Sequence, residues 1–541
     1  MNKKFIVDVR IAASERDSLF TPEWNWPIKQ ETYDDPFREF VEWTHALPAQ
    51  FADKPELRIA FELIERVLLH DLAYFVGVWI DLSTAKKLDL DLVHGSDQQL
   101  YKMLVQDRLD GYSPTNDARA GSDLRLRRPA KRLYQLARKT VRNSSAKIKG
   151  RPTNHSIGVN PLLLELTGGP RNLFHLSYAN IVAQRPTIQH PDPVIGELAR
   201  EIQQQLSRRL ADVDHAPTEK LNSHIQQLVS NHLINGWSDK DFKPEFTPTP
   251  KMTLFTGTGG GYISRTLSHA FQKNGAKVVR ATHGGESVLF NDPLWASTEI
   301  PFSNTYVNFG TKAAAITQGK IARHQSIRRL QKVPLTVAAG SIFHQRIVDR
   351  SFASDEVKTV YILSASFSGS RQHIPNVKIH DIVLLDWNRR LIQIIKAAGF
   401  RTIVKRHPKG VGPNTPIYAD VASEELMQMK MADTFDQADA YVIDMATTAF
   451  LEAMCTLKPV LLIEIPNRPL TKQARTQLNK SIVIIPATYD ENNRVTIERD
   501  QLIEGLRKPI NLEARHEFIS NYLTSSDEIR NECDLFRKTA S

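Results

Sequence analysis

Cysteine is almost missing: Cys455 and Cys533 are the only two in 541 residues. They stand far apart and at no metal-ligand spacing, so neither a disulfide framework nor a zinc site is expected. Long apolar runs are missing too. The longest, residues 72–80, is roughly half of what a bilayer span needs. At the amino terminus, Asp8 and Arg10 interrupt what would have to be the apolar region of a secretory leader, and Phe5-Ile6-Val7 reads better as a first strand. These absences point to the cytoplasm. No internal repeat or low-complexity tract occurs. With 41% hydrophobic and 24% charged residues, a folded chain is expected, divided at this length into two or three domains.

Acidic residues are lacking from one stretch. Between Arg125 and Arg151 stand Arg127, Arg128, Lys131, Arg132, Arg138, Lys139, Arg142, Lys147 and Lys149, and no Asp or Glu intervenes. Leu126, Leu133, Leu136 and Val141 fall near helical spacing within it. The run therefore reads as a basic amphipathic helix for an anionic membrane surface or glycolipid, or more plainly as a solvated linker. Tyr134 is its one aromatic residue, so nucleic acid is not an expected partner.

What is present is an alternation. After a largely helical region, residues 1–245, and a proline-rich crossing at residues 241–250, strand, loop and helix signals repeat. Residues 252–256 and 277–281 read as strands around a helix at residues 263–272. A second set follows: strands at 358–363, 401–405, 440–443 and 459–463, with helices at 381–398 and 447–455. Such alternation predicts an α/β chain with parallel, Rossmann-like sheets. The expected division is an acceptor-side unit at 246–350, joined by the amino-terminal region, a nucleotide-donor unit at 351–510, and a carboxyl-terminal helix from 511 to 541 with room to cross back.

The chemistry sits at strand ends, where open α/β sheets bind ligands. The strand at 401–405 delivers Arg406-His407-Pro408-Lys409-Gly410, in which proline fixes the turn and leaves His407 between two cations. The strand at 440–443 opens into Asp444-Met445-Ala446-Thr447-Thr448, offering hydroxyls and a positive helix end to a phosphate. Glu452 lies one helical turn beyond Thr448, suited to ribose hydroxyls. In the earlier unit, Thr282-His283-Gly284-Gly285-Glu286 offers an acid/base in His283 and a base or nucleophile in Glu286, against the plainer reading of a strand-capping histidine. The loop Thr256-Gly257-Thr258-Gly259-Gly260-Gly261-Tyr262 departs from the dinucleotide fingerprint at Tyr262. Gly259 and Gly260, like Gly284 and Gly285, are read as letting a substrate or a neighbouring backbone approach. Asp89-Leu90-Asp91, Asp212-Val213-Asp214 and Asp239-Lys240-Asp241 follow no convincing strand, so no metal or other cofactor is expected.

Together the paired units, Arg406-His407-Pro408-Lys409, Thr447-Thr448 and Glu452 resemble the His-Pro and Ser/Thr motifs of bacterial GT-B glycosyltransferases of surface polysaccharides, namely β-Kdo, sialic acid and CDP-glycerol transferases. The His-Gly-Gly loop is similar to one in a group of surface-carbohydrate transferases. The resemblance covers about residues 250 to 510. It implies two Rossmann-like domains facing a cleft, a nucleotide-sugar donor, CMP-linked, and a glycan or glycolipid acceptor at the inner membrane face. It further implies donor phosphate contacts from Arg406, His407, Lys409, Thr447 and Thr448, with Glu452 near the ribose. His283 and Glu286 would face sugar and acceptor. An acidic motif of some sialyltransferases is missing, which leaves Asp292 and Glu299 as further candidates for the base. A nucleotide-sugar epimerase or hydrolase, or a non-catalytic glycan-assembly protein, are the competing readings.

Overall fold

A computed structural model describes residues 4–96, 98–106, 153–177, 181, 193–257, 259–291, 295, 298–323, 334–350, 356–369, 379–407, 410–411 and 415–524. The basic run from Arg125 to Arg151, with Asp292, Pro408 and Lys409, lies outside these residues. The amino-terminal region begins with strand β1 (Lys4–Ile6) and continues into helix α1 (Gln30–Ala46) and the 33-residue α2 (Pro55–Lys87). The apolar run at 72–80 lies inside α2, which is buried along most of its length. This explains its composition without a membrane, and among the described residues no helix is long and apolar enough to cross one. Strand β2 (Asp91–Val93) pairs in parallel with β1, and α3 (Gln99–Val105) follows. Two amphipathic helices, α4 (Pro193–Asp212) and α5 (Glu219–Asp239), complete this layer.

Helix α5 crosses α2 at Gly236. A β-carbon there would fall 2.2 Å from the Ala60 carbonyl oxygen and 2.9 Å from Ile64 Cγ2. A backbone oxygen of a packed helix cannot swing aside. Gly236→Ala should therefore lower stability by about 1–3 kcal/mol, even though alanine favours the helix intrinsically. An unchanged or raised melting midpoint would refute the close crossing.

The first sheet contains β3 (Asn154–Ile157), β4 (Phe174–His175), β5 (Thr253–Thr256), β6 (Lys277–Ala281), β7 (Thr305–Asn308) and β8 (Leu335–Ala338). They run in the order β4-β3-β5-β6-β7-β8, all parallel. Helices α6 (Tyr262–Lys273), α7 (Thr311–Arg323) and α8 (Ile342–Val348) belong to this unit. The second sheet contains β9 (Thr359–Leu363), β10 (Arg401–Lys405), β11 (Glu424–Leu426), β12 (Ala440–Ile443), β13 (Val460–Glu464) and β14 (Val483–Pro486). Its order is β11-β10-β9-β12-β13-β14, again all parallel. Every residue of β12 and β13 is buried, as expected of strands covered on both faces. Helix α9 (Asp381–Ala397) packs on one face and α10 (Thr448–Cys455) on the other. Helices α11 (Arg499–Arg507) and α12 (Leu512–Tyr522) follow.

The chain is thus α/β with two six-stranded parallel sheets. Residues 153–175 of the amino-terminal region supply β3 and β4 to the first sheet. Its earlier residues pack on the second unit, and one apolar cluster runs from Phe5 and Phe37 through Leu72 to Trp387 and Ile463. Asp81, fully buried, accepts the hydroxyls of Tyr33 and Tyr101 and faces His380 Nε2 at 3.7 Å. Trp26 stacks on the His380 ring at 4.2 Å. Nearby, Arg494 donates to the Pro22 carbonyl and to Asp386, and Asn493 donates to the Trp26 carbonyl. At the other end of the chain, α12 crosses back to the first unit. Ser341 N–H donates to the Leu523 carbonyl, and a β-carbon on Gly310 would lie 2.3 Å from the Asn521 oxygen.

Candidate functional site

In the second sheet, β10 and β11 build out on one side of β9, while β12, β13 and β14 build out on the other. The order therefore reverses between β9 and β12. Chains leaving those two strands part in opposite directions and open a crevice at their carboxyl ends. The crevice is lined by Ala365 after β9 and by Asp444, Met445 and Ala446 after β12. Asp444 spans it, accepting the Ala365 N–H at 3.2 Å. Glu464, Arg468 and, from the first unit, Phe290 complete a cleft of about 500 Å³. Arg468 lies 4.0 Å over the Phe290 ring, and Thr471 N–H donates to the Leu289 carbonyl. The two units are thereby joined beside the crevice.

Helix α10 starts at its edge. Its N-cap, Thr447, has extended backbone and makes no side-chain cap hydrogen bond. The hydroxyl is not folded back onto the helix, and the first-turn N–H groups other than that of Phe450, which donates to the Thr447 carbonyl at 3.0 Å, have no partner within the helix. Facing it is the loop after β6. Thr282 is held there by Asn160, whose side-chain N–H donates to the Thr282 carbonyl at 2.7 Å. Gly285 adopts φ +84, a left-handed conformation that favours glycine, and a β-carbon on it would lie 2.6 Å from Phe309 and 3.2 Å from Leu451. On Gly284 a β-carbon would lie 2.2 Å from Glu286 Oε2 and 2.3 Å from Thr448 Oγ1. Glu286 of one unit and Thr448 of the other thus meet over a bare α-carbon. Glu286 Oε2 is buried and has no hydrogen-bond partner. His283, beside it, is exposed.

Side chains alternate along β10, so Ile403 and Lys405 point to the face covered by α10, and Val404 and Arg406 to the other. Lys405 and Glu452 consequently share a face. Burial pushes the Glu452 carboxyl up to about 7, with the Lys405 charge opposing the rise. Burial also lowers Lys405, opposed by Glu452. Such shifts toward neutrality are frequent at functional sites. Arg406 is turned away from the cleft. Its guanidinium donates to the Thr415 carbonyl, to the Val411 carbonyl at 3.0 Å and to Glu425 at 3.4 Å. It organises the loop after β10, whereas His407 is exposed at the strand end.

The protein itself crowds Gly259 and Gly260. Gly259 N–H donates to Glu299 at 2.9 Å, and β-carbons on the two glycines would collide with Arg280 and Arg66 respectively. Glu299, a candidate base by sequence, is bound in this buried cluster with Arg280 and Arg265. Two of the three Asp-x-Asp tripeptides have structural partners: Asp214 pairs with Lys87, Asp239 accepts from Tyr262, and Asp241 pairs with Lys240 and Lys273.

The junction of the two units beside the cleft therefore brings together Glu286, Gly284, Gly285 and Thr448, with Thr447 at the start of the same helix and Glu452 in its next turn; none of these lines the cleft itself, and Gly259, Gly260 and Arg406 lie elsewhere. Reading the sequence for turns overlooked Lys405. The two-residue period of its strand would have assigned it to the α10 face and Arg406 to the opposite one. Phe290 and Arg468 carry no comparable local signal, since they meet only across the two units. No protein-family profile matches this chain, and no curated protein matches it.

Proposed function

We propose that the chain is a glycosyltransferase that moves a sugar from a nucleotide donor, CMP-linked, to a surface glycan or glycolipid, with the GT-B arrangement of two facing units. The observation that carries this reading is the meeting of Glu286 and Thr448 over Gly284, beside the second sheet's crevice. A crevice of this kind with a helix amino end suits a nucleotide phosphate. The Thr448 and Ala449 N–H groups of α10 and the Thr447 and Thr448 hydroxyls would hold that phosphate, with His407 above it. The acceptor hydroxyl attacks the anomeric carbon and gives its proton to Glu286. The bond from that carbon to the phosphate oxygen breaks, and the electron pair leaves with the nucleotide. Donors fixed beforehand around the departing charge stabilise the transition state.

Thermal melting with CMP, CDP and UDP tests the reading. A ligand bound only to the folded chain stabilises it by about 2.7 kcal/mol at a hundred times its Kd, so CMP should raise the midpoint. His407→Ala should reduce that rise without lowering the midpoint of the free protein. No response to any of the three nucleotides would overturn the assignment.

A further inference from the structure

A second concavity lies at the opposite edge of the second sheet, where β13 and β14 begin, and measures about 400 Å³. Its walls are the turn at Asn479, Lys480 and Ser481 and the connection from α11 to α12, with Lys508, Asn511 and Arg515. No aspartate or glutamate lines it. The amino end of the 11-residue α12 opens here: Asn511 caps one donor, accepting the Ala514 N–H at 3.0 Å. The helix dipole adds positive potential to that of the two lysines. Arg515 is fully buried in the wall. Its Nη atoms donate to the Met454, Lys458 and Ser481 carbonyls, and its Nε has no partner. A buried guanidinium held by carbonyls alone is not neutralised. The cavity therefore has a charge that nothing in its lining balances.

We infer that this cavity binds a small phosphate-bearing anion, held by Lys480, Lys508 and the first turn of α12, with the charge of the buried Arg515 in the wall behind them. The site is separate from the cleft and does not depend on the proposed transfer reaction. Because α12 runs on to Gly310 and Ser341 of the first unit, an anion here would fasten the start of the helix that joins the two units.

Calorimetry with inorganic phosphate, pyrophosphate and glycerol 3-phosphate, at near-physiological salt, tests it. Saturable binding is expected, with slowed amide exchange at residues 479–483 and 508–515. Lys480→Gln with Lys508→Gln, two exposed positions that should leave the fold intact, should weaken binding by about tenfold or more. Thr448→Val should retain it, which separates this site from the cleft even if the transferase reading fails. Tighter binding of free phosphate or pyrophosphate would identify a free ion, and tighter binding of glycerol 3-phosphate an esterified one. Absence of saturable binding by the parent, or equal affinity in the double-lysine variant, would overturn the proposal.

Discussion

Replacing Glu286 with glutamine should lower sugar transfer by about 10²–10⁴-fold, the usual contribution of a positioned general base. The exchange is nearly isosteric. It keeps an oxygen beside Gly284 and Thr448 but cannot take up the acceptor proton. Nucleotide affinity should hold, because the groups proposed to hold the phosphate belong to the start of α10 and to the turn after β10. The outcome to measure is therefore turnover set against the nucleotide-induced rise in melting midpoint. Unchanged turnover would remove Glu286 from the reaction. Loss of the nucleotide response together with turnover would make it a structural brace between the units.

Acidification should expose a second large effect, centred on His344. This residue of α8 is buried to 2% exposure, packs against the rings of Phe309 and Phe343, and has no hydrogen-bond partner on either ring nitrogen. Burial lowers its pKa from 6.5 to about 4. The folded chain thus keeps the ring neutral where the unfolded chain protonates it. Stability from this group is present above pH 6.5 and is lost as pH falls toward 4. Between about pH 7.5 and about pH 5 the loss should be about 2 kcal/mol. Glu62 and Glu65 act in the opposite sense, since burial raises them to about 7 and about 8. Their stabilisation is present at low pH and lost as pH rises through those values. The comparison must therefore be between the parent and His344→Leu over the same interval. The variant should lack the acid-side loss, and parallel pH dependences would show that His344 does not cause it.

The strands that sequence reading located best are those in which burial is a property of the run itself. Strands β12 and β13 are almost wholly apolar stretches and β10 has an apolar centre, and all three appear within a residue of their expected limits. Strand β3 was not legible, because Asn154-His155-Ser156-Ile157 is polar in isolation. Its His155 becomes core only by stacking on Phe246 at 4.6 Å, with Phe174 and Phe271 around it. Strand β11, Glu424–Leu426, is three residues long and begins with two carboxylates, one of which, Glu425, is used to hold the loop after β10. In the cleft, the hydroxyl turn and the His-Gly-Gly-Glu loop were visible as strand ends. The partners of Gly259 and Gly260 were not, because arginines from α2 and β6 approach them only in the folded chain. The same reason hid the docking of the amino-terminal layer on the second unit.

That docking has a consequence for the order of folding. The hydrogen bond from Asn493 to Trp26 spans 467 residues, and the bonds from Arg494 to the Thr21 and Pro22 carbonyls span 473 and 472. Contacts so distant along the chain close late, since loop entropy must be overcome before they contribute. During synthesis the Trp26 segment emerges long before its partners at His380 and Asn493. Trp26 must wait uncovered, or in temporary company, until the turn near residue 493 has been made. Chaperone dependence early in synthesis, falling once that turn has been translated, is the behaviour this topology imposes.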